Sequence, residues 1–323
     1  MKTSEKIIQY LEKNEQSSVN ELVGYLRISR MAVSKQLRKL LIQGAVRKVG
    51  KPPVVFYLIN KEVTQKKDLV SLSAEIKKSI EESFLFITPM GQRKQGLEGF
   101  SFWCEKTGQP VEKSAIEYVK ILKKYFKFKK NGLIDRSGKF RSTFPKVGLD
   151  QVFYLDFYSI ERFGKTKLGQ LLLYSKQSQN RKMIRELSIE IKPKIDKIIE
   201  KYRVDGIGFI PPTVKRELQF MKELEKNLKE KVPKISIKKI KTDILVPQKT
   251  LTKLSDRIEN AKNTLVVDER RFFRTILLID DAVGSGATLN ETALQIKNKK
   301  IAKKVIGLSI TGSFKGFDVI SEV

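Results

Sequence analysis

The chain has 323 residues, 40% hydrophobic and 31% charged, enough for two or three domains with packed cores. It contains one cysteine and no histidine, which excludes an intramolecular disulfide, a four-ligand Cys/His zinc site and any histidine-based acid–base chemistry. Its 65 basic and 36 acidic residues leave a formal charge of +29, a field that favours polyanions such as nucleic acid, although a Lys- and Ile-rich composition of AT-rich coding origin gives the same excess.

The opening segment, MKTSEKIIQYLEKNEQ, is polar and helix-periodic and lacks an apolar signal-peptide core, so a cytoplasmic location is expected. No apolar run approaches the length of a membrane span. Residues 2–14 read as a helix with Ile7, Ile8 and Leu11 on one face. Ser18 and Glu21 form a capping box that opens a short helix ending at Leu26. After the turn Arg27-Ile28-Ser29, Ser29 caps a third helix from Arg30 to about Gln43. Its inner face holds Val33, Leu37, Leu40 and Leu41, and its outer face Arg30, Ser34, Lys35 and Arg38. Two β-prone runs then flank Gly50-Lys51-Pro52-Pro53 and predict a hairpin. The order helix, helix, turn, helix, hairpin over residues 1–60 resembles a winged helix-turn-helix. Basic residues there outnumber acidic ones 11 to 4. That resemblance implies DNA as a partner, with the third helix in the major groove and Arg47, Lys48 and Lys51 on phosphates. A winged helix serving protein contacts alone is the other reading.

Residues 61–90 read as a linker helix (Val70, Ala74, Ile76, Lys77, Ile80) stopped by Pro89, and residues 111–128 as a strong helix. The basic stretch 127–148 predicts a hairpin around Arg136-Ser137-Gly138. It interleaves Phe128, Phe140 and Phe144 with Lys129, Lys130, Lys139 and Arg141. That pattern suits either stacking on single-stranded nucleic acid or a solvated hairpin with buried aromatics.

The most informative segment is ILLIDDAVGSGAT, residues 276–288. Ile276–Ile279 is a continuous apolar run, as in a parallel strand buried on both faces. Asp280 and Asp281 are expected where that strand ends, followed by a small-residue loop, Ala282, Val283, Gly284, Ser285, Gly286 and Ala287. Thr288 and Glu291 then predict a capping box for a helix to about Lys299, and Val305–Ile310 reads as the next strand. Glycines bring backbone amides close to a phosphate, the helix N-terminus adds positive dipole character, and adjacent carboxylates accept from vicinal hydroxyls. Neither a Walker loop nor the dinucleotide glycine spacing is present.

This run is similar to the phosphoribosyl pyrophosphate motif of type I phosphoribosyltransferases. By that resemblance Asp280 and Asp281 hold the ribose hydroxyls and Ala282–Thr288 bind the 5-phosphate. Many members have two threonines where Gly284-Ser285 stands. Residues 205–212, DGIGFIPP, followed by Lys215 and Arg216, look like the first strand and pyrophosphate loop of ComF-type competence proteins. Gln248, Arg257 and Asn260 resemble that family's mobile loop over the ligand. The four-Cys ribbon of that family has no counterpart here, and Arg216-Glu217-Leu218-Gln219 replaces its usual Arg-Gly-Phe-Asn run.

The expected fold class is α/β: a winged helix-turn-helix (1–60), a mixed middle segment (61–164) and a phosphoribosyltransferase-like domain with a mainly parallel sheet (165–323). Joining a winged helix to such a domain resembles the purine-operon repressors of Gram-positive bacteria. The resemblance implies a DNA-binding regulator, possible as a homodimer, that senses phosphoribosyl pyrophosphate with its Mg2+ and needs no zinc. The alternatives are a ComF-like DNA uptake or processing protein acting on single strands, and an active phosphoribosyltransferase.

Overall fold

The computed structural model describes residues 2–14, 16–51, 53–59, 72–212, 216–240, 244, 246–315 and 317. Near the N-terminus three helices pack together, α1 (Thr3–Asn14), α2 (Val19–Leu26) and α3 (Arg30–Ile42), with strands β1 (Gln16–Ser17), β2 (Val46–Lys51) and β3 (Val54–Ile59). The strands form an antiparallel sheet in the order β1-β3-β2. Ile7, Leu11, Leu22, Val33, Leu37, Leu40 and Val46 make the core. Ser18 accepts from Glu21 N (3.3 Å) and Glu21 accepts from Ser18 N (2.7 Å), closing the expected capping box. Arg27 turns left-handed (φ 52°) between α2 and α3. Strand β1 had no signal, being two residues long. Ser18→Ala should lower the stability of this unit by about 1 kcal/mol, seen in its thermal melt.

The chain continues through α4 (Ala74–Ser83), β4 (Leu85–Ile87), β5 (Arg93–Gln95), α5 (Gly96–Lys106), α6 (Val111–Phe126), β6 (Lys129–Lys130), β7 (Leu133–Asp135) and α7 (Ser137–Thr143). Next come β8 (Gln151–Phe157), β9 (Ser159–Ile160), β10 (Gly164–Lys165), α8 (Lys167–Gln177), α9 (Arg181–Tyr202) and β11 (Gly206–Phe209). The last elements are α10 (Phe220–Leu228), β12 (Ile237–Lys239), α11 (Leu254–Thr264), β13 (Leu265–Val267), β14 (Phe273–Val283), α12 (Ala287–Asn298) and β15 (Ala302–Gly312).

The fold is α/β, organised on a six-stranded sheet in the order β11-β14-β15-β8-β7-β6. Strands β11, β14, β15 and β8 run parallel, and β7 and β6 add an antiparallel edge. Side chains alternate along β14: Leu277 and Ile279 join Leu171, Leu172, Leu187 and Leu224 of α8, α9 and α10. Ile276 and Leu278 join Leu289, Ala293 and Ile296 of α12 on the other face. Helices on both faces explain why the strand is apolar without interruption. Three of the six strands, β6, β7 and β8, precede residue 165, so the sheet draws on the middle segment as well as on residues 165–323.

Two expectations for the middle segment are corrected. Among the described residues the linker helix occupies residues 74–83; Phe84 ends it and Leu85–Ile87, an aromatic and branched run, pairs with β5 instead. Val70 lies outside the described residues. The hairpin turns at Asn131-Gly132, both at positive φ (52° and 80°), not at Arg136–Gly138. Asn-Gly favours the two-residue turn that matches strand twist. Residues 137–143 are helical instead, started by the Asp135 carboxylate, which accepts from Ser137 N (2.8 Å) and Oγ (2.6 Å).

Candidate functional site

The sequence reading ends the strand before the acids, but β14 runs through both of them to Val283. It does so because β15 pairs along the whole stretch, Asp280 with Ser309, Ala282 with Thr311 and Val283 with Gly312. The acids are therefore held on a paired backbone near the carboxyl end of an inner strand, where open parallel sheets expose their crevice. Successive strand residues face opposite sides. Asp280 follows Ile276 and Leu278, and Asp281 faces α8.

Each acid is oriented locally. Asp280 Oδ1 accepts from Asp281 N (2.8 Å), and Asp281 Oδ1 accepts from Ala282 N (2.6 Å). Asp281 Oδ2 pairs with Lys176 Nζ of α8 at 2.6 Å. Among the described residues Asp280 has no ion-pair partner. Burial, then the charge of Asp281, raises its pKa to about 8, while the Asp281 amide and the more distant Lys176 pull the other way. Asp280 is thus held largely neutral near pH 7.

The turn Gly284–Gly286 leads directly into α12. The expected Thr288–Glu291 capping box is absent: the helix starts at Ala287 and its N-cap is Gly286, at φ 79° and without a side-chain cap. Glu291 is buried, and Asn290 reaches across to bond Gly148 N (3.0 Å) and Lys146 O (2.9 Å). The first turn of α12 therefore keeps amides without intrahelical partners, open to an anion. Ser285 Oγ accepts from Ala287 N at 3.4 Å. Gly286 is required twice over, by its positive φ and because a Cβ would lie 2.6 Å from the Phe140 ring and 3.2 Å from Phe317. Val283, Ser285 and Ala287 are buried; Ala282, Gly284 and Thr288 are half-buried.

The remaining predicted residues are dispersed. Lys215 lies outside the described residues. Arg216 is exposed and its Nη1 donates to the carbonyl of Lys176, at the end of α8. Gln248, Arg257 and Asn260 hold one another: Gln248 Nε2 donates to Arg257 O (3.0 Å) and Asn260 Oδ1 (3.1 Å), and buried Arg257 Nε donates to Leu251 O (2.8 Å). These contacts brace the turn at residues 248–250 against α11.

Lys176 had no signal in the sequence, nor had Tyr158 near Asp281. Burial, then the Asp281 charge, then Tyr174 raise the Tyr158 phenol. These residues belong to segments that carry no motif, and the packing of α8 against β8 and β15, with the pairing of β8 and β15, brings them to the acids.

A second candidate surface is the outer face of α3. Arg30, Ser34, Lys35 and Arg38 are all exposed, spaced three or four apart on one side of the helix. Lys48 is exposed on β2. Arg47, expected on phosphate, is half-buried and donates Nη1 to Gln92 Oε1 (3.2 Å) instead. Lys51 ends β2, its side chain outside what is described. Of the interleaved aromatics, Phe140 and Phe144 are buried and Phe128 is exposed, so their sequence alternation is mainly that of a core. Among the described residues no helix is long and apolar enough to cross a membrane.

No protein-family model and no curated protein sequence matches this chain.

Proposed function

We propose that the chain is a DNA-binding regulator in which a phosphoribosyltransferase-like domain binds phosphoribosyl pyrophosphate, or a related phosphoribosyl compound, and thereby changes the DNA affinity of a winged helix-turn-helix. The observation that carries the reading is the sequence of groups along β14 and into α12. Two adjacent carboxylates are followed by a glycine-capped helix start without a side-chain cap, groups that suit a ribose 5-phosphate. The exposed basic face of α3, on a three-helix unit with an antiparallel hairpin, supports the DNA partner.

In this reading Asp280 and Asp281 accept from the ribose hydroxyls and the backbone of Val283–Thr288 holds the 5-phosphate. Among the described residues no three Cys, Asp or Glu side chains converge as a ready cation site. Magnesium would thus be held chiefly by the ligand's own phosphates. Binding, rather than group transfer, is the role we assign these groups, since adjacent carboxylates can accept from vicinal hydroxyls. Ligand binding then acts by linkage: it shifts the equilibrium only as far as it prefers one DNA-affinity state over the other.

The test uses duplexes that the full chain enriches from a random pool. The magnesium complex of phosphoribosyl pyrophosphate should change their affinity, read by fluorescence anisotropy, by about tenfold, a usual size for such coupling. Asp280→Asn with Asp281→Asn should erase that response while leaving ligand-free DNA binding in place. Unchanged affinity at saturating ligand would sink the regulatory reading. A firmer hold on single strands than on duplex would turn it toward DNA processing, and pyrophosphate release on addition of a base would turn it toward catalysis.

A further inference from the structure

A carboxylate beside the phosphate groups of the ligand proposed above repels them, and a side-chain cation next to it offsets that repulsion together with the ligand's magnesium. Lys176 is that cation. It projects from the last turn of α8 onto Asp281 Oδ2 at 2.6 Å, with the lysine side chain 35% and the aspartate 20% exposed. The pair is partly shielded, so the lysine cannot leave its carboxylate unless something replaces each partner. Ribose hydroxyls can satisfy Asp281. An anionic group next to those hydroxyls would compensate the displaced ammonium better than water does.

Asp281 is faced by Asp280 on its own strand, by Lys176 of α8, and by Tyr158 beyond β8, which Tyr174 of α8 adjoins. Arg216, bonded to the carbonyl of Lys176, adds a second positive charge at the end of α8. The positive groups gather on the α8 side of β14. Asp280, on the other side, has the Asp281 amide as its hydrogen-bond partner among the described residues.

From this we infer that Lys176 is a specificity-determining residue: it makes the aspartate pair select sugar phosphates carrying a second anionic group beside the vicinal diol, and reject ribose 5-phosphate alone. A ligand with the second group exchanges partners, hydroxyls to Asp281 and anion to Lys176. One without it must break the Lys176–Asp281 pair and leave the ammonium uncompensated. The inference rests on the phosphoribosyl reading of the site.

Calorimetry on the full chain tests it with two probes, the magnesium complex of phosphoribosyl pyrophosphate and ribose 5-phosphate. The wild type should favour the first by at least about tenfold, equivalent to about 1.4 kcal/mol. Lys176→Met should collapse that ratio toward one, weakening the pyrophosphate compound and sparing or improving ribose 5-phosphate. Lys176→Arg, which keeps the cation, should preserve most of the ratio and guards against a folding defect in the methionine variant. An unchanged ratio in Lys176→Met, or equal weakening of both probes in Met and Arg variants, would overturn the selectivity role while leaving the phosphoribosyl reading intact. If the wild type binds neither probe, the phosphoribosyl reading itself falls and this inference with it.

Discussion

Gly286→Ala is expected to lower the melting temperature by roughly 5–10 °C and to abolish phosphoribosyl binding. Two terms add. The φ of 79° places the residue where a Cβ meets the backbone, at about 1–2 kcal/mol. The new methyl would also stand 2.6 Å from the Phe140 ring, which is itself fully buried and packed on Phe144 and Phe317. Overpacking of that kind costs about 1–3 kcal/mol. For a chain of this length each kcal/mol moves the melt by roughly 2–4 °C. Binding suffers separately, since relief of either strain rotates the amides at the start of α12 away from a phosphate. Calorimetric melting with a parallel ligand titration checks both. A melt within one degree of wild type would mean that Phe140 gives way and the loop is not tightly seated. Retained affinity would mean that these amides do not hold the ligand.

The second large effect is on pH dependence. Asp280 carries a pKa raised to about 8, against an ordinary value of 3.8, because burial and the Asp281 charge both disfavour its ionised form. The sign follows from proton counts. Between those values the unfolded chain has released a proton that the folded chain still holds, so stability falls as pH rises through this window. Asp280→Asn keeps the shape and removes the titration. The variant should therefore gain on the wild type as pH increases from 5 to 8.5, by about 1–2 kcal/mol across the range, or roughly 3–6 °C in melting temperature. That figure is set well below the full shift because Asp280 is partly open to water and its titration is coupled to its neighbour. The chain has no histidine, so the interval is otherwise sparsely titrated and the difference between the two melts isolates one group. A gap that stays constant with pH would show that Asp280 is ionised throughout, and would remove the division of labour between the two acids.

That division matters for the proposed site. A neutral Asp280 can donate as well as accept, whereas Asp281 is already paired with the Lys176 ammonium. Two neighbouring residues of the same type thus present different hydrogen-bonding faces to a vicinal diol. The distinction comes from the burial of Asp280 beside its charged neighbour, and from Lys176 of α8, which pairs with Asp281.

Much of the architecture was legible in local chemistry. Helical periodicity marked α1 and α3, and the Ser18–Glu21 pair marked the start of α2, because caps and amphipathic faces are read within a few residues. The unbroken run Ile276–Ile279 announced a strand covered on both faces, and β14 is such a strand. The misreadings were local conflicts. Asn131-Gly132 outranked Arg136–Gly138 as the turn, and the pairing with β15 carried β14 past the acids that were expected to end it.

What only tertiary structure decided is the chemistry around those acids. Lys176 stands 104 positions before Asp280 and 105 before Asp281 in a helix without a motif, so no spacing rule connects them. Arg257 and Gln248 resembled ligand-facing residues, but burial turned them to brace their own turn. Arg47 resembled a phosphate contact, but Gln92 claims its guanidinium. Hydrogen-bonding capacity and charge are written in residue type. Which partner satisfies them depends on which elements pack together, and that is settled by the burial of apolar faces distributed along the chain.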